Sequence, residues 1–243
     1  MAGAYLMPPG VGQIITGMTF SGSTKAFDKH GRVIPVPSYR KFELGSYLEY
    51  GLTERVTVIA APSFDHIRAS QPGSTYDGLG TSGAGLRFGL LRNPWDVLSF
   101  EASFIGPGPP FSQGVGLIRA RRAAGADLRL AAGHGFAVQG IPVFLEVASG
   151  YRIYGGEQPG EVHADLTLGA RPLPSILVML QSFSTIFTNK TAIWPRQSWH
   201  TLQLSLVYDV SPRWSIQGGA FMTVAGYDAG RQAGPLLAMW YRF

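Results

Sequence analysis

Apolar and polar residues alternate along most of this chain, in runs of about ten separated by Gly, Pro and charged residues. A two-residue period places alternate side chains on opposite faces of a strand. The stretch 42–52 is typical. Phe42, Leu44, Leu48, Tyr50 and Leu52 share one face, and Glu43, Gly45, Tyr47, Glu49 and Gly51 the other. In 161–171 Val162, Ala164, Leu166 and Leu168 oppose Glu161, His163, Asp165 and Arg171. The last run, 234–243, sets Leu237, Met239, Tyr241 and Phe243 on one face at the C-terminus.

The pattern predicts about twelve strands, over 11–20, 42–52, 55–64, 85–91, 98–104, 121–132, 141–151, 161–171, 175–187, 200–210, 214–224 and 234–243. In 175–187 both faces are mixed, so the pattern leaves its facing open. The connections alternate in length. Long ones follow Phe20, Phe64, Gly106, Tyr151, Phe187 and Val224; short ones lie near Thr53, Pro94, His134, Pro172 and Pro212. The segments 21–38 and 67–80 are expected to be polar outer loops. Short periplasmic turns, long extracellular loops and an even strand number are the pattern of an outer-membrane barrel. A soluble β-sandwich predicts no such alternation.

The expected fold is therefore all-β: a transmembrane antiparallel up-and-down barrel over 11–243, with 1–10 as a periplasmic lead-in. A spanning sheet cannot keep an edge in hydrocarbon, so the first strand must pair with the last. Tyr50, Trp95, Tyr208, Trp214, Tyr241 and Phe243 gather near the short turns, and Phe20, Phe64, Phe104 and Tyr151 near the loops, as two aromatic girdles would.

Composition narrows the chemistry. Charged residues are only 14% of the chain, against about 25% usually. Cysteine is absent, which excludes disulfides, thiolate metal sites and thiol nucleophiles. No apolar run is long enough for a transmembrane helix. The net charge of +5 is too dispersed to point to nucleic acid. Met1-Ala2-Gly3-Ala4-Tyr5 has no signal-peptide pattern, so a signal is expected to have been removed before insertion in the outer membrane of a Gram-negative bacterium.

The inner face is expected to carry Glu43, Tyr47, Glu49, Arg87, Glu101, Asp127, Arg129, Glu146, Arg152, Glu161, His163, Asp165, Arg171 and Gln203. Arg55, Asp209, Arg242 and Trp240 are read the same way. Opposite charges in similar number predict cross-barrel ion pairs rather than an ion filter of one sign. About twelve strands near 4.8 Å apart and tilted about 40° give a backbone diameter of roughly 24 Å. A ten-residue lead-in leaves no separate plug domain.

Catalysis is weighed and set aside. Glu161, His163 and Asp165 share a face, but i and i+2 side chains stand about 7 Å apart, too far for a direct hydrogen bond. Asp65 and His66 point to opposite faces. The His residues have no metal-ligand spacing. Gly78-Leu79-Gly80-Thr81-Ser82-Gly83-Ala84-Gly85 leads into a strand and lacks the Lys of a phosphate loop. No catalytic residue, metal or cofactor is expected.

Glu49-Tyr50-Gly51-Leu52-Thr53-Glu54-Arg55-Val56-Thr57-Val58 resembles a hairpin of a proteobacterial outer-membrane family named for phenol meta-cleavage gene clusters. The resemblance implies transport of small molecules. Leu6-Met7-Pro8-Pro9-Gly10-Val11-Gly12-Gln13 resembles the start of barrels found beside exopolysaccharide-synthesis genes, which implies an extended polysaccharide as cargo. Trp240-Tyr241-Arg242-Phe243 resembles the signal read by the barrel-assembly machinery, with Tyr241 and Phe243 as its aromatics. Lipid and lipopolysaccharide are the expected surroundings. A small-solute channel, a polysaccharide pore, a barrel enzyme acting on lipid or lipopolysaccharide and a blocked structural barrel all stay open on the sequence.

Overall fold

The computed structural model describes residues 3–70, 75–109, 123–191 and 194–243. They form a closed antiparallel barrel of twelve strands. These are β1 (Gly12–Phe27), β2 (Val33–Thr53), β3 in two segments (Val56–Ala61 and Ser63–Ala69) and β4 in two segments (Thr75–Leu79 and Gly83–Arg92). β5 (Asp96–Ile105), β6 (Gly125–Val138), β7 (Ile141–Tyr154), β8 (Glu161–Leu173) and β9 (Ile176–Phe187) follow. β10 (Ser198–Asp209), β11 (Trp214–Tyr227) and β12 (Ala229–Gly230 and Ala233–Arg242) complete the ring.

β1 closes it by pairing with both β2 and β12: Gly17 lies opposite Gly45 on one side and Ala238 on the other. No edge is left to carry unpaired backbone groups into hydrocarbon. The two-residue period sorts the faces. Leu166 is 42% exposed and its neighbour Thr167 only 9%. Leu128, Leu180, Leu204, Leu237 and Met239 likewise stand outward.

The apolar outer face ends in aromatics. Trp214, Tyr241, Phe243 and Tyr50 form a chain of ring contacts at 4.5, 5.9 and 6.3 Å across the β1 seam. Gly12 lies under the Phe243 ring, where a Cβ would come within 2.4 Å of it. Near the other end Phe20 and Phe42 meet at 4.9 Å.

Several expected boundaries move. Residues 21–38 are mostly strand: β1 runs on to Phe27 and β2 begins at Val33. Ladder pairing continues past the aromatic belt. Residues 67–69 and 75–79 also extend a hairpin, while 71–74 lie outside the described residues. Arg121, the expected start of the sixth strand, lies outside them too. The β11 strand continues three residues beyond Val224.

The expected turn at Gly133-His134-Gly135 is instead strand, and the β6–β7 turn is Gln139-Gly140. Both turn residues have positive φ, 51° and 81°, which suits the twist of a two-residue hairpin. Gly133 serves packing: a Cβ there would stand 3.2 Å from the Tyr5 ring.

Candidate functional site

The lumen wall divides into two arcs. One, on β2 to β8, is charged. Arg87 on β4 is its hub, only 1% exposed. Its Nη1 donates to Glu49 Oε1 at 2.6 Å, and its Nη2 to Tyr47 Oη at 2.8 Å and Glu101 Oε2 at 3.0 Å. Arg129 bridges Asp127 at 3.2 Å and Asp165 at 2.9 Å. Arg152 meets Asp127 at 2.7 Å and Glu161 at 3.7 Å. Lys41 lies between Glu43 at 2.7 Å and Asp65 at 3.1 Å. Each cation thus sits between carboxylates on different strands, which fixes the wall and neutralises it locally.

The other arc is apolar. Ile15 (β1), Leu177 and Met179 (β9), Val207 (β10) and Trp240 (β12) form a buried inward cluster, with Phe144 and Tyr47 packed against it. Its polar groups are amides and hydroxyls that satisfy one another. Trp240 Nε1 donates to Gln217 Oε1 at 3.0 Å, Gln217 to Ser205 at 3.0 Å, and Gln203 to Gln181 at 2.8 Å. This arc explains why the facing of β9 was not readable: Leu177 and Met179 point inward while Val178 and Leu180 point outward.

Between the arcs lie two stacked cavities. The extracellular one, about 360 Å³, is bounded by Gly17, Gly45, Ala61, Tyr47, Phe183 and Gln203. The periplasmic one, about 380 Å³, is bounded by Tyr47, Phe144, Glu146, Met179, Phe183 and Trp240. Ile15, Tyr47 and Phe183 line both, so they mark the neck between them.

Residues 3–9 floor the lower cavity as a strap. Its backbone is held by lumen side chains: Ala4 N donates to Glu146 Oε1 at 3.0 Å, Met7 N to Thr57 Oγ1 at 3.0 Å, and Arg87 Nη1 to Tyr5 O at 2.8 Å. Ala4 and Leu6 are buried against Val97, Ala131 and Ala148. Gly51 admits the chain, since a Cβ there would lie 2.1 Å from Pro8 O. The lead-in expected in the periplasm therefore enters the barrel mouth. A handful of residues suffices to obstruct a lumen already narrowed by side chains, so the length of the lead-in did not exclude a plug.

The structure sets Glu43, Tyr47, Glu49, Arg87, Glu101, Asp127, Arg129, Glu146, Arg152, Glu161, His163, Asp165 and Gln203 on the inner face. Arg171 lies at the periplasmic rim, paired with Asp209 at 2.8 Å; Arg242 joins the same carboxylate at 3.3 Å. Arg55 is not lumenal but exposed in the β2–β3 turn. His163 and Glu161 do touch, at 3.1 Å, because their side chains lean together along the strand. Thr185 Oγ1 stands 3.3 Å from His163 Nδ1. The Glu161 oxygen that holds His163 also accepts from Tyr154 at 3.2 Å and faces Arg152, so the group is part of the wall network.

On the outer face Ser184 Oγ lies 2.7 Å from His200 Nδ1, and among the described residues no carboxylate hydrogen-bonds that imidazole. Sequence reading missed Lys41, Phe144, Leu177, Met179 and the strap, and weighed Asp65 only beside His66. Lys41 and Asp65 each lie one residue outside the expected strands 42–52 and 55–64, and the apolar residues were hidden by the premise that inward means polar.

No protein-family model matches the chain, and no curated protein does. Solved structures match across its length. The outer-membrane channel from Pseudomonas putida F1 superposes with a TM-score of 0.75 at 14% identity, covering 98% of this chain and 97% of that one. The NanC porin gives 0.56 at 6% identity over 93% and 98%. The CymD monoaromatic hydrocarbon channel gives 0.52 at 10% over 98% and 89%. At these identities the likeness establishes the architecture: this chain has the fold of outer-membrane β-barrels.

Proposed function

We propose that this barrel is a channel in the outer membrane of a Gram-negative bacterium, passing small organic solutes and narrowed at its periplasmic mouth by the strap. The observation that carries this reading is the pair of stacked cavities joined at Ile15, Tyr47 and Phe183. A blocked structural barrel has no need of such space along its axis. The names of the similar folds, an outer-membrane channel, a porin and a hydrocarbon channel, support the same reading.

Small solutes fit better than an extended polysaccharide. A sugar chain needs free polar partners at intervals, whereas the polar groups here are largely paired with one another and one whole arc is apolar. The phenol-pathway resemblance of residues 49–58 points the same way. A lipid hydrolase is the weaker reading, since His163 is held in a structural network and His200 lacks a carboxylate partner among the described residues. In this reading the outer face contacts lipid and lipopolysaccharide, and Tyr241 and Phe243 are presented to the assembly machinery during insertion.

The test is planar-bilayer conductance of the purified barrel with and without residues 3–9. Wild type should give small, steady steps, and the deletion steps several-fold larger. Silence from both proteins, with folded barrel present, would rule out the channel. Acyl release from phospholipid by wild type would replace it with an enzyme.

A further inference from the structure

We propose that the periplasmic cavity is a binding site for a small organic cation bearing an apolar, preferably aromatic, group. This deepens the channel reading by naming a solute class, and it rests on that reading only for access to the lumen.

The charge of the lining is the first observation. Glu49, Glu146 and Asp165 border this cavity, and among the described residues no Lys, Arg or His does. Two of these carboxylates are already neutralised. Glu49 is held by Arg87 at 2.6 Å and Asp165 by Arg129 at 2.9 Å, each cation lying behind its carboxylate in the wall. Glu146 differs. Its Oε1 accepts from the Ala4 backbone N–H at 3.0 Å, and among the described residues no cationic side chain forms an ion pair with it. A carboxylate that forms no ion pair in such a cavity gains more from a cation beside it than from an anion.

The second observation is independent of charge. The same space is walled by the rings of Tyr47, Phe144, Phe183 and Trp240, with Ile15 and Met179 beside them. Aromatic faces are negative at their centres and attract ammonium groups, and they do so better where water is thinned out. The apolar side chains take up the hydrocarbon part of a ligand by the hydrophobic effect. Amides and a hydroxyl, Gln13, Gln181 and Thr167, add acceptors that tolerate an N–H donor. The volume, about 380 Å³, lies within the usual range for small-molecule sites.

The extracellular cavity has a different balance, with Glu43 as its bordering carboxylate, and that group is paired with Lys41. Selection is therefore assigned to the lower chamber, above the strap.

Isothermal titration of the detergent-solubilised barrel tests the proposal with three size-matched probes: 2-phenylethylammonium, 2-phenylethanol and phenylacetate. The ammonium should bind about tenfold tighter than the alcohol, as one charge-assisted hydrogen bond provides, and phenylacetate should bind most weakly. Glu146→Gln keeps the acceptor for Ala4 and removes the charge. It should lower ammonium affinity about tenfold and change alcohol affinity less than twofold. Trp240→Leu should weaken both. Phenylacetate binding as tightly as the ammonium, an unchanged Glu146→Gln, or no binding of any probe overturns the site. Bilayer conductance in plain KCl is measured on the same preparations. Conductance without ammonium preference defeats the site and leaves the channel standing; ammonium binding without conductance does the reverse. If Glu146→Gln fails to fold, the ranking of the three probes on wild type decides.

Discussion

On β2 to β8 the inner face carries guanidinium groups clamped between carboxylates; on β9, β10, β12 and β1 it carries Leu177, Met179, Val207, Trp240 and Ile15. Both arcs are built on the same alternating strands, yet they are rigid for different reasons. The charged arc is fixed by directional contacts that link three strands and the strap through one side chain, as at Arg87. The apolar arc is fixed by packing and by a few uncharged amide and hydroxyl contacts, and leaves space beside it. Charge in a lumen is therefore no guide by itself to what the lumen selects.

Removing the hub should break the comparison most severely. Arg87→Met leaves Glu49 and Glu101 buried without their cation and should cost about 3–5 kcal/mol, as removal of one partner of a buried pair does. Urea unfolding in lipid vesicles measures it. Adding Glu49→Gln to the same protein should recover part of the loss. A cost below that of the apolar-arc change described next would mean the ion pairs are not what holds this arc.

Leu177→Ala probes the other arc. In a sealed core such a change costs 2–5 kcal/mol. Here the side chain already borders open space, so the cost should lie near the bottom of that range, about 2 kcal/mol, while conductance rises. A larger loss than for Arg87→Met, or a fall in conductance, would contradict the packing description of the apolar arc.

The division into arcs was only half legible in the sequence. The charged arc follows from period-two alternation, because a charged residue between two outward apolar residues, such as Arg87 between Leu86 and Phe88, has one face available to it. The apolar arc breaks that logic. With Leu177 and Met179 inward and Leu180 outward, neither face of β9 is marked by polarity, and only its ladder to β8 and β10 sets the register. Strand ends failed for a related reason. The run Ser21-Gly22-Ser23-Thr24-Lys25 has no apolar alternation, so it resembles a loop although the ladder continues. The strap carried no periodic signal. Its partners Thr57, Arg87 and Glu146 lie far away in sequence, and the glycines that admit it, Gly51 and Gly133, read equally well as turn residues.

The smallest expected effect lies outside both arcs, in the β1–β2 turn. Asp28 Oδ1 accepts from the backbone N–H of His30 at 2.7 Å and of Arg32 at 2.9 Å, and the Arg32 side chain pairs with Oδ2 at 2.9 Å. The Arg32 backbone N–H, with help from that of His30 and from the guanidinium, holds the Asp28 carboxyl below the ordinary carboxylate range. A depressed carboxylate stabilises the turn above its unfolded value and loses that contribution as pH falls through the folded one. Amide exchange at His30 and Arg32 should therefore speed up in strong acid, and Asp28→Asn should show fast exchange at neutral pH. Conductance should not change. Exchange that ignores both pH and the substitution would remove the carboxylate from the turn's support.

The strap also acts as a ligand supplied in cis. Joined to β1 through Gly10, it samples its own site at an effective concentration of order millimolar, the figure for short flexible tethers. Any solute that needs the space of residues 3–9 competes with that standing occupancy. A solute displaces it only where the ratio of solute concentration to its dissociation constant for the mouth exceeds the ratio of that effective concentration to the strap's own dissociation constant. In the proposed channel a short length of ordinary chain would thereby set a competitive threshold for entry from the periplasmic side.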